Sequence, residues 1–190
     1  MNDSISTQYH HGALKTALLD CALSKLAAGQ AVTEISVRAL AAEVGVSKGA
    51  PRRHFASADE LIAALAERGF EQLSAELSAA PTQDLTALGV VYVRFALNNR
   101  QLYRCMFHFP REQAARFEGL VSASERTHQI LRAAIARLAP RRSGLAEREA
   151  SLTAWSLVHG LADLLIQQQT PQQTDDRQLH ALLSALVTGL

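Results

Sequence analysis

Between residues 35 and 55 the chain reads Ile35-Ser36-Val37-Arg38-Ala39-Leu40-Ala41-Ala42-Glu43-Val44-Gly45-Val46-Ser47-Lys48-Gly49-Ala50-Pro51-Arg52-Arg53-His54-Phe55. Ser36 is a favourable helix N-cap, and Ile35 before it can staple to Leu40 inside the helix. Gly45 supplies the backbone freedom for a tight turn, and Ser47 can cap the next helix. Pro51 removes a backbone donor early in that second helix, which predicts a brief or partly 3₁₀ element. Leu40, Val44, Val46 and Phe55 supply a small core, while Ala41 and Gly45 permit close approach. Lys48, Arg52, Arg53 and His54 fall within seven residues. Two short helices across a tight turn, the second of them basic, form the layout of a helix-turn-helix that sets a helix into the DNA major groove.

On this reading Lys48, Gly49, Ala50 and Arg53 are candidates for the groove face. Lys and Arg donate to guanine O6 and N7, and small side chains let the backbone come near. Ser36, Ser47, Arg52 and His54 are better placed for phosphates, where helix N-termini also offer N–H groups. Arg38 adds to the charge: from Ser36 to Ser57, Arg38, Lys48, Arg52 and Arg53 stand against Glu43 alone, in a chain whose net charge is only +1. Clustered cations near phosphates give salt-dependent affinity. The spacing leaves a second reading open, a solvated basic face on an ordinary helix hairpin.

Outward from this segment the apolar residues repeat at helical rather than strand spacing. Leu14, Leu18, Ala22 and Leu26 form a first stripe, stopped by Gly29. Ser57-Ala58-Asp59-Glu60 is a capping box opening a helix whose stripe is Leu61, Leu65, Gly69, Leu73 and Leu77. Ala79-Ala80-Pro81 breaks it. A further helix carries Leu85, Leu88, Tyr92 and Phe95 and stops at Asn98-Asn99. An aromatic segment runs from Leu102 to Phe109, and a longer helix from Arg111 to Ala139 is broken at Pro140. Arg141-Arg142-Ser143-Gly144 reads as a loop. Leu145–Gln169 is apolar nearly all round and closes at Thr170-Pro171. The last helix carries Leu179, Leu182, Leu183, Leu186, Val187 and Leu190. The expected fold is all-α with about nine helices.

With 190 residues, 48% of them hydrophobic, the chain can bury a substantial core. Cys21 and Cys105, far apart in apolar patterns, suit reduced, buried thiols. The first residues show no signal-peptide pattern and no run is apolar enough for a membrane span, so a cytoplasmic location is expected. There is no nucleophile elbow, phosphate loop, HExxH motif or CxxC pair, and the seven histidines show no metal spacing. No enzyme activity, metal or cofactor is therefore expected. Asp163, an acid inside an apolar helix, suits a buried pair or an interfacial hydrogen bond.

Three stretches resemble the TetR family of transcriptional regulators. Tyr9-His10-His11-Gly12 with Leu14 and Leu18-Leu19 is similar to the family's N-terminal arm and first helix. Ser36-Val37-Arg38-x-Leu40-Ala41-x-x-x-Gly45-Val46-Ser47 through His54-Phe55 resembles its helix-turn-helix signature. Trp155-Ser156-Leu157-Val158-His159-Gly160-Leu161-Ala162 resembles the Trp-x-x-x-His-Gly stretch of one subgroup's C-terminal domain. The resemblance implies a homodimeric repressor released from operator DNA by a small apolar or amphipathic inducer. It implies a three-helix DNA-binding head over residues 1–57 and a ligand-binding and dimerisation body over 58–190, with helix 58–79 connecting them. Arg52 stands where the family usually has Tyr, and Ala58 where it usually has Lys or Arg.

In the body, Phe95, Tyr103, Met106, Phe107, Phe109, Phe117 and Trp155 could line an apolar cavity, with His108, Arg104, His128 and His159 orienting a polar end. Aromatics at helical spacing are equally consistent with plain core, and His159 with an interior hydrogen-bonded histidine. Leu157, Gly160, Leu161, Leu164, Leu179, Leu182, Leu183 and Leu186 are candidates for the dimer interface, burial within one subunit being the other possibility. A helical interaction protein without DNA binding also stays open on the residues alone.

Overall fold

The computed structural model describes residues 3–137, 146–169 and 175–187, with side chains from Ala13 to Ala185 within those ranges. Pro140, the Arg141–Gly144 loop, Thr170-Pro171, Leu190 and the side chains of Tyr9, His10, His11 and Leu186 lie outside the described residues. Nine α-helices and no strand occur among the described residues: α1 (Asp3–Ala27), α2 (Val37–Glu43), α3 (Ala58–Ser78), α4 (Leu85–Asn98), α5 (Arg100–Met106), α6 (Arg111–Ala114), α7 (Glu118–Arg137), α8 (Glu147–Ile166) and α9 (Asp176–Val187). Short 3₁₀ turns cover Val32–Glu34 and Ala50–Arg53.

Local chemistry sets most boundaries. The Ser36 side chain accepts a hydrogen bond from Ala39 N–H at 3.1 Å and caps α2. Gly29 and Gly45 both take positive φ, +94° and +76°. At Gly45, Val46 N–H bonds Ala41 C=O and Gly45 N–H bonds Ala42 C=O, the two hydrogen bonds of a Schellman ending. Gly29 ends α1 in the same way, through Gln30 to Lys25 and Gly29 to Leu26. Ser57 Oγ accepts from Glu60 N–H at 3.2 Å, while the Glu60 carboxylate reaches back to Ala56 N–H at 2.8 Å, one residue earlier than a capping box requires.

Two expectations need correction. The helix expected over 111–139 is two helices: α6 ends after Ala114, and α7 begins at Glu118. Ser47 does not cap the basic element. That position belongs to Gly49, without a side-chain cap, because the segment is a single 3₁₀ turn with Pro51 near its start.

The chain divides into two compact units, Met1–Gly69 with Asn99–Val121, and Phe70–Asn98 with Ser122–Leu190. The first unit joins α5, α6 and the start of α7 to the N-terminal helices. In the first unit α1 packs on α2, on the Ala50–Arg53 turn and on α5. Leu18, Leu40, Ala41, Leu61 and Leu65 are fully buried there, and Cys105 Sγ contacts Ile62 C=O at 3.6 Å. Gly69 makes room for Met106, whose Cγ would lie 2.6 Å from an added Cβ.

In the second unit α4 packs on α8 and α9. Val93, Phe95 and Ala96 are buried, as are Ala162 and Leu165 of α8 and Leu179 and Leu183 of α9. The Ser74 and Thr127 hydroxyls hydrogen-bond at 2.7 Å, and Arg94 pairs with Asp176. Among the described residues no helix is long and apolar enough to cross a membrane.

Candidate functional site

Around the turn at Gly45 most of the expected DNA-facing residues lie on the surface. Ser36, Arg38, Ser47, Lys48, Gly49, Arg52 and Arg53 are all exposed, and Ala50 is half-buried. Arg38, Lys48, Arg52 and Arg53 have no hydrogen-bond or ion-pair partner among the described residues. The acid of the segment is neutralised elsewhere: Glu43 pairs with Lys25 of α1 at 2.6 Å and takes a 3.5 Å contact from the Cys21 thiol. The Lys25 hydrogen bond holds the Glu43 carboxyl below its ordinary range. Net positive charge is therefore left on the outer surface.

Beneath that surface the backbone is closed. Ala50 N–H bonds Ser47 C=O, and the N–H groups of His54 and Phe55 both bond Pro51 C=O at 2.9 Å. Pro51 and Phe55 are both buried. His54, expected to face phosphate, is instead half-buried. It lines a cavity of about 210 Å³ with Lys15, Phe55, Glu60, Glu67 and Phe117. At the C-cap of a one-turn element, its side chain is directed inward with Phe55.

The expected effector-site residues fall into both units. In the first, Tyr103 meets Phe107 edge-on at 5.2 Å, Phe117 lies tilted against Phe109 at 5.2 Å, and His108 meets Phe109 at 4.9 Å. Tyr103 and Met106 are buried core. In the second, Trp155 is met edge-on by His128 at 5.1 Å and by His159 at 5.7 Å. Tyr92 hydroxyl and His159 Nδ1 are 3.0 Å apart, and His159 is half-buried. Burial lowers its pKa, with Asp163 opposing. Asp163 itself accepts from Gln167 Nε2 at 3.0 Å. Phe95 is fully buried.

His128 and Trp155 also wall a cavity of about 320 Å³, with Leu131, Arg132, Arg148, Ser151 and Leu152 among its other walls. Sequence reasoning missed those five residues. The signal was present as spacing: Leu131 and Arg132 follow His128 by three and four, and Trp155 follows Ser151 and Leu152 by four and three.

The expected interface residues separate by burial. Leu179 and Leu183 are spent inside the second unit, where Leu183 lies against Gly89 of α4. Leu164 and Leu182 remain 49% exposed, and Leu152 57%. Leu157 and Leu161 are half-buried; Gly160 is exposed, with open space where a Cβ would stand.

A helix-turn-helix with an uncompensated basic surface, joined to an all-helical second unit, defines a class of helical DNA-binding regulators. The family model described as the tetracyclin repressor-like C-terminal domain matches residues 85–190. A protein of unknown function from Rhodococcus sp. RHA1 is 32% identical, with 96% of this chain and 97% of that one covered and a TM-score of 0.78. A regulatory protein in the tetR family from Rhodococcus RHA1 is 19% identical, covering 92% and 95%, with a TM-score of 0.65. NalD of Pseudomonas aeruginosa, described as the secondary repressor of the MexAB-OprM multidrug efflux pump, is 24% identical, covering 92% and 94%, with a TM-score of 0.59. No protein of curated function matches. The chain belongs to the TetR family of transcriptional regulators.

Proposed function

We propose that this chain is a cytoplasmic, homodimeric repressor that binds operator DNA through residues 36–53 and leaves it when a small apolar or amphipathic effector binds. The observation that carries this reading is the group of four exposed cations, Arg38, Lys48, Arg52 and Arg53, without partners among the described residues and set around a capped and closed turn. Lys48, Gly49, Ala50 and Arg53 face the groove, and Ser36, Arg38, Ser47 and Arg52 face phosphates. His54 serves from behind, by walling the cavity under the turn. The functional boundary lies at 57/58, with α3 common to both parts.

The cavity beside Trp155 and His128 suits the effector: Trp155, Leu131 and Leu152 would hold a hydrophobic body, with Arg132, Glu147, Arg148 and Ser151 supplying polar groups. The outward face of α8 and α9, with Leu152, Gly160, Leu164 and Leu182, suits the symmetric partner. An effector can shift the protein off DNA only by binding one conformation more tightly than the other.

A gel shift on the DNA upstream of its own gene tests the reading. The wild type is expected to shift the fragment, and Lys48→Ala combined with Arg53→Ala to abolish the shift, each lost base contact costing about 1–3 kcal/mol. No shift by the wild type, or an unaltered shift by the double variant, overturns it.

A further inference from the structure

We propose that the cavity beneath the basic turn is a second ligand site, built for a small organic cation: an amine or amidinium carried on a single ring. It lies wholly within the first unit, whereas the Trp155 cavity assigned to the effector belongs to the second. Its volume of about 210 Å³ is walled by Lys15, His54, Phe55, Glu60, Glu67 and Phe117, completed by small and apolar residues.

The chemistry of the walls selects the charge. Glu60 and Glu67 stand seven residues apart on α3, hence on one face of the helix. Glu60 is anchored through Ala56 N–H at 2.8 Å. Glu67 is half-buried, and its carboxylate is seated against Gly119 so closely that a Cβ there would overlap it. It has no hydrogen bond or ion pair among the described residues. A half-buried carboxylate on a cavity wall, unpaired among the described residues, is a recognition group for a cation. Lys15 brings one positive charge against these two negative ones. It is exposed, and its flexible stem lets the ammonium turn to water. Phe117 offers a ring on which a cation or a flat apolar body can rest. An anion of the same shape would meet two carboxylates. The volume lies below the roughly 300 Å³ at which drug-sized pockets begin, which restricts the occupant to about one ring and its charged group.

The position has a consequence for regulation, which rests on the DNA-binding function proposed above. His54 and Phe55 close the cavity, and their N–H groups end the Ala50–Arg53 turn at Pro51 C=O. An occupant therefore touches the residues that hold the DNA-facing turn, and it and DNA change each other's affinity by one common factor.

Calorimetric titration of the full chain with benzamidine, and with benzoate as the anion of like shape, tests the site. Benzamidine is expected to bind saturably, one per chain, and benzoate not to bind. Glu67→Gln, nearly isosteric, is expected to weaken benzamidine about tenfold or more, the loss of one charge-assisted bidentate contact. Phe117→Leu is expected to weaken it several-fold while the circular dichroism of the chain is unchanged, and it decides the matter if the glutamine variant does not fold. No benzamidine binding by the wild type, equal binding of benzoate, or affinity indifferent to both substitutions overturns the proposal. The titration contains no DNA, so its failure leaves the repressor reading standing, and a failure to bind DNA leaves the cation site to be judged by itself.

Discussion

Gly45 and Gly49 form a controlled pair for testing what holds the DNA-facing turn. A Cβ at either position would meet nothing within 4 Å, so steric overlap cannot separate them. Backbone conformation does: Gly45 sits at φ +76°, whereas Gly49 sits at φ −90°, ψ −21°, which any residue adopts. Alanine at Gly45 incurs the left-handed cost of about 1–2 kcal/mol, offset in part by the roughly 0.4–1 kcal/mol gained from restricting the unfolded chain. The net is a destabilisation of about 1 kcal/mol, or a melting-temperature loss of roughly 2–4 °C for a chain of 190 residues. Alanine at Gly49 receives only the favourable part and should be neutral or stabilising by about 0.5 kcal/mol. Gly45→Asn should recover part of the loss, because Asn tolerates this conformation. Thermal and urea unfolding followed by far-ultraviolet circular dichroism measure all three. If Gly45→Ala and Gly49→Ala shift the midpoint equally, backbone strain is not what makes glycine necessary at the turn.

Gln168 ends α8 in the same manner at φ +56° without being glycine, so Gln168→Gly is expected to raise stability by up to about 1 kcal/mol in urea unfolding. Burial lowers the His159 pKa, so the unfolded chain binds the proton more readily. Stability from this group is present above the ordinary imidazole pKa of about 6.5 and lost as pH falls through the folded value, and His159→Gln should flatten that part of the stability-against-pH curve. Burial pushes the Cys105 thiol up to about 12, and burial with the Glu43 carboxylate raises Cys21. Neither thiol should react promptly with a disulfide reagent at neutral pH in the native chain, and both should react in denaturant.

What was legible in the sequence was local. Ser36, Gly29, Gly45 and Ser57 act on residues two to five positions away, and the structure places helix ends where these signals stand. The brief 3₁₀ element followed from Pro51 for the same reason. The break at Ala115–Phe117 carries no proline, and its neighbouring glycine comes after it. It belongs to a segment that folds back onto helices some forty to sixty residues earlier, as in Cys105 against Ile62 and Gln113 against Asp59. Contacts at that separation have no period to read. The inward turn of His54 was hidden similarly, since a basic residue beside Arg53 looks solvent-facing until Phe117 and Glu67 are placed behind it. On α8 and α9 the apolar surface is wide enough to serve two faces, so spacing could not tell Leu183, spent against Gly89, from Leu182, left outside.

Selection of bound fragments from the whole genome by purified protein decides whether residues 36–53 read DNA. Duplex sites with two-fold symmetry should be enriched, their half-sites centred about 10 base pairs apart or at a multiple of that spacing, and Lys48→Ala plus Arg53→Ala should abolish that enrichment. No enriched site at low salt, or enrichment that the double variant retains, would contradict it.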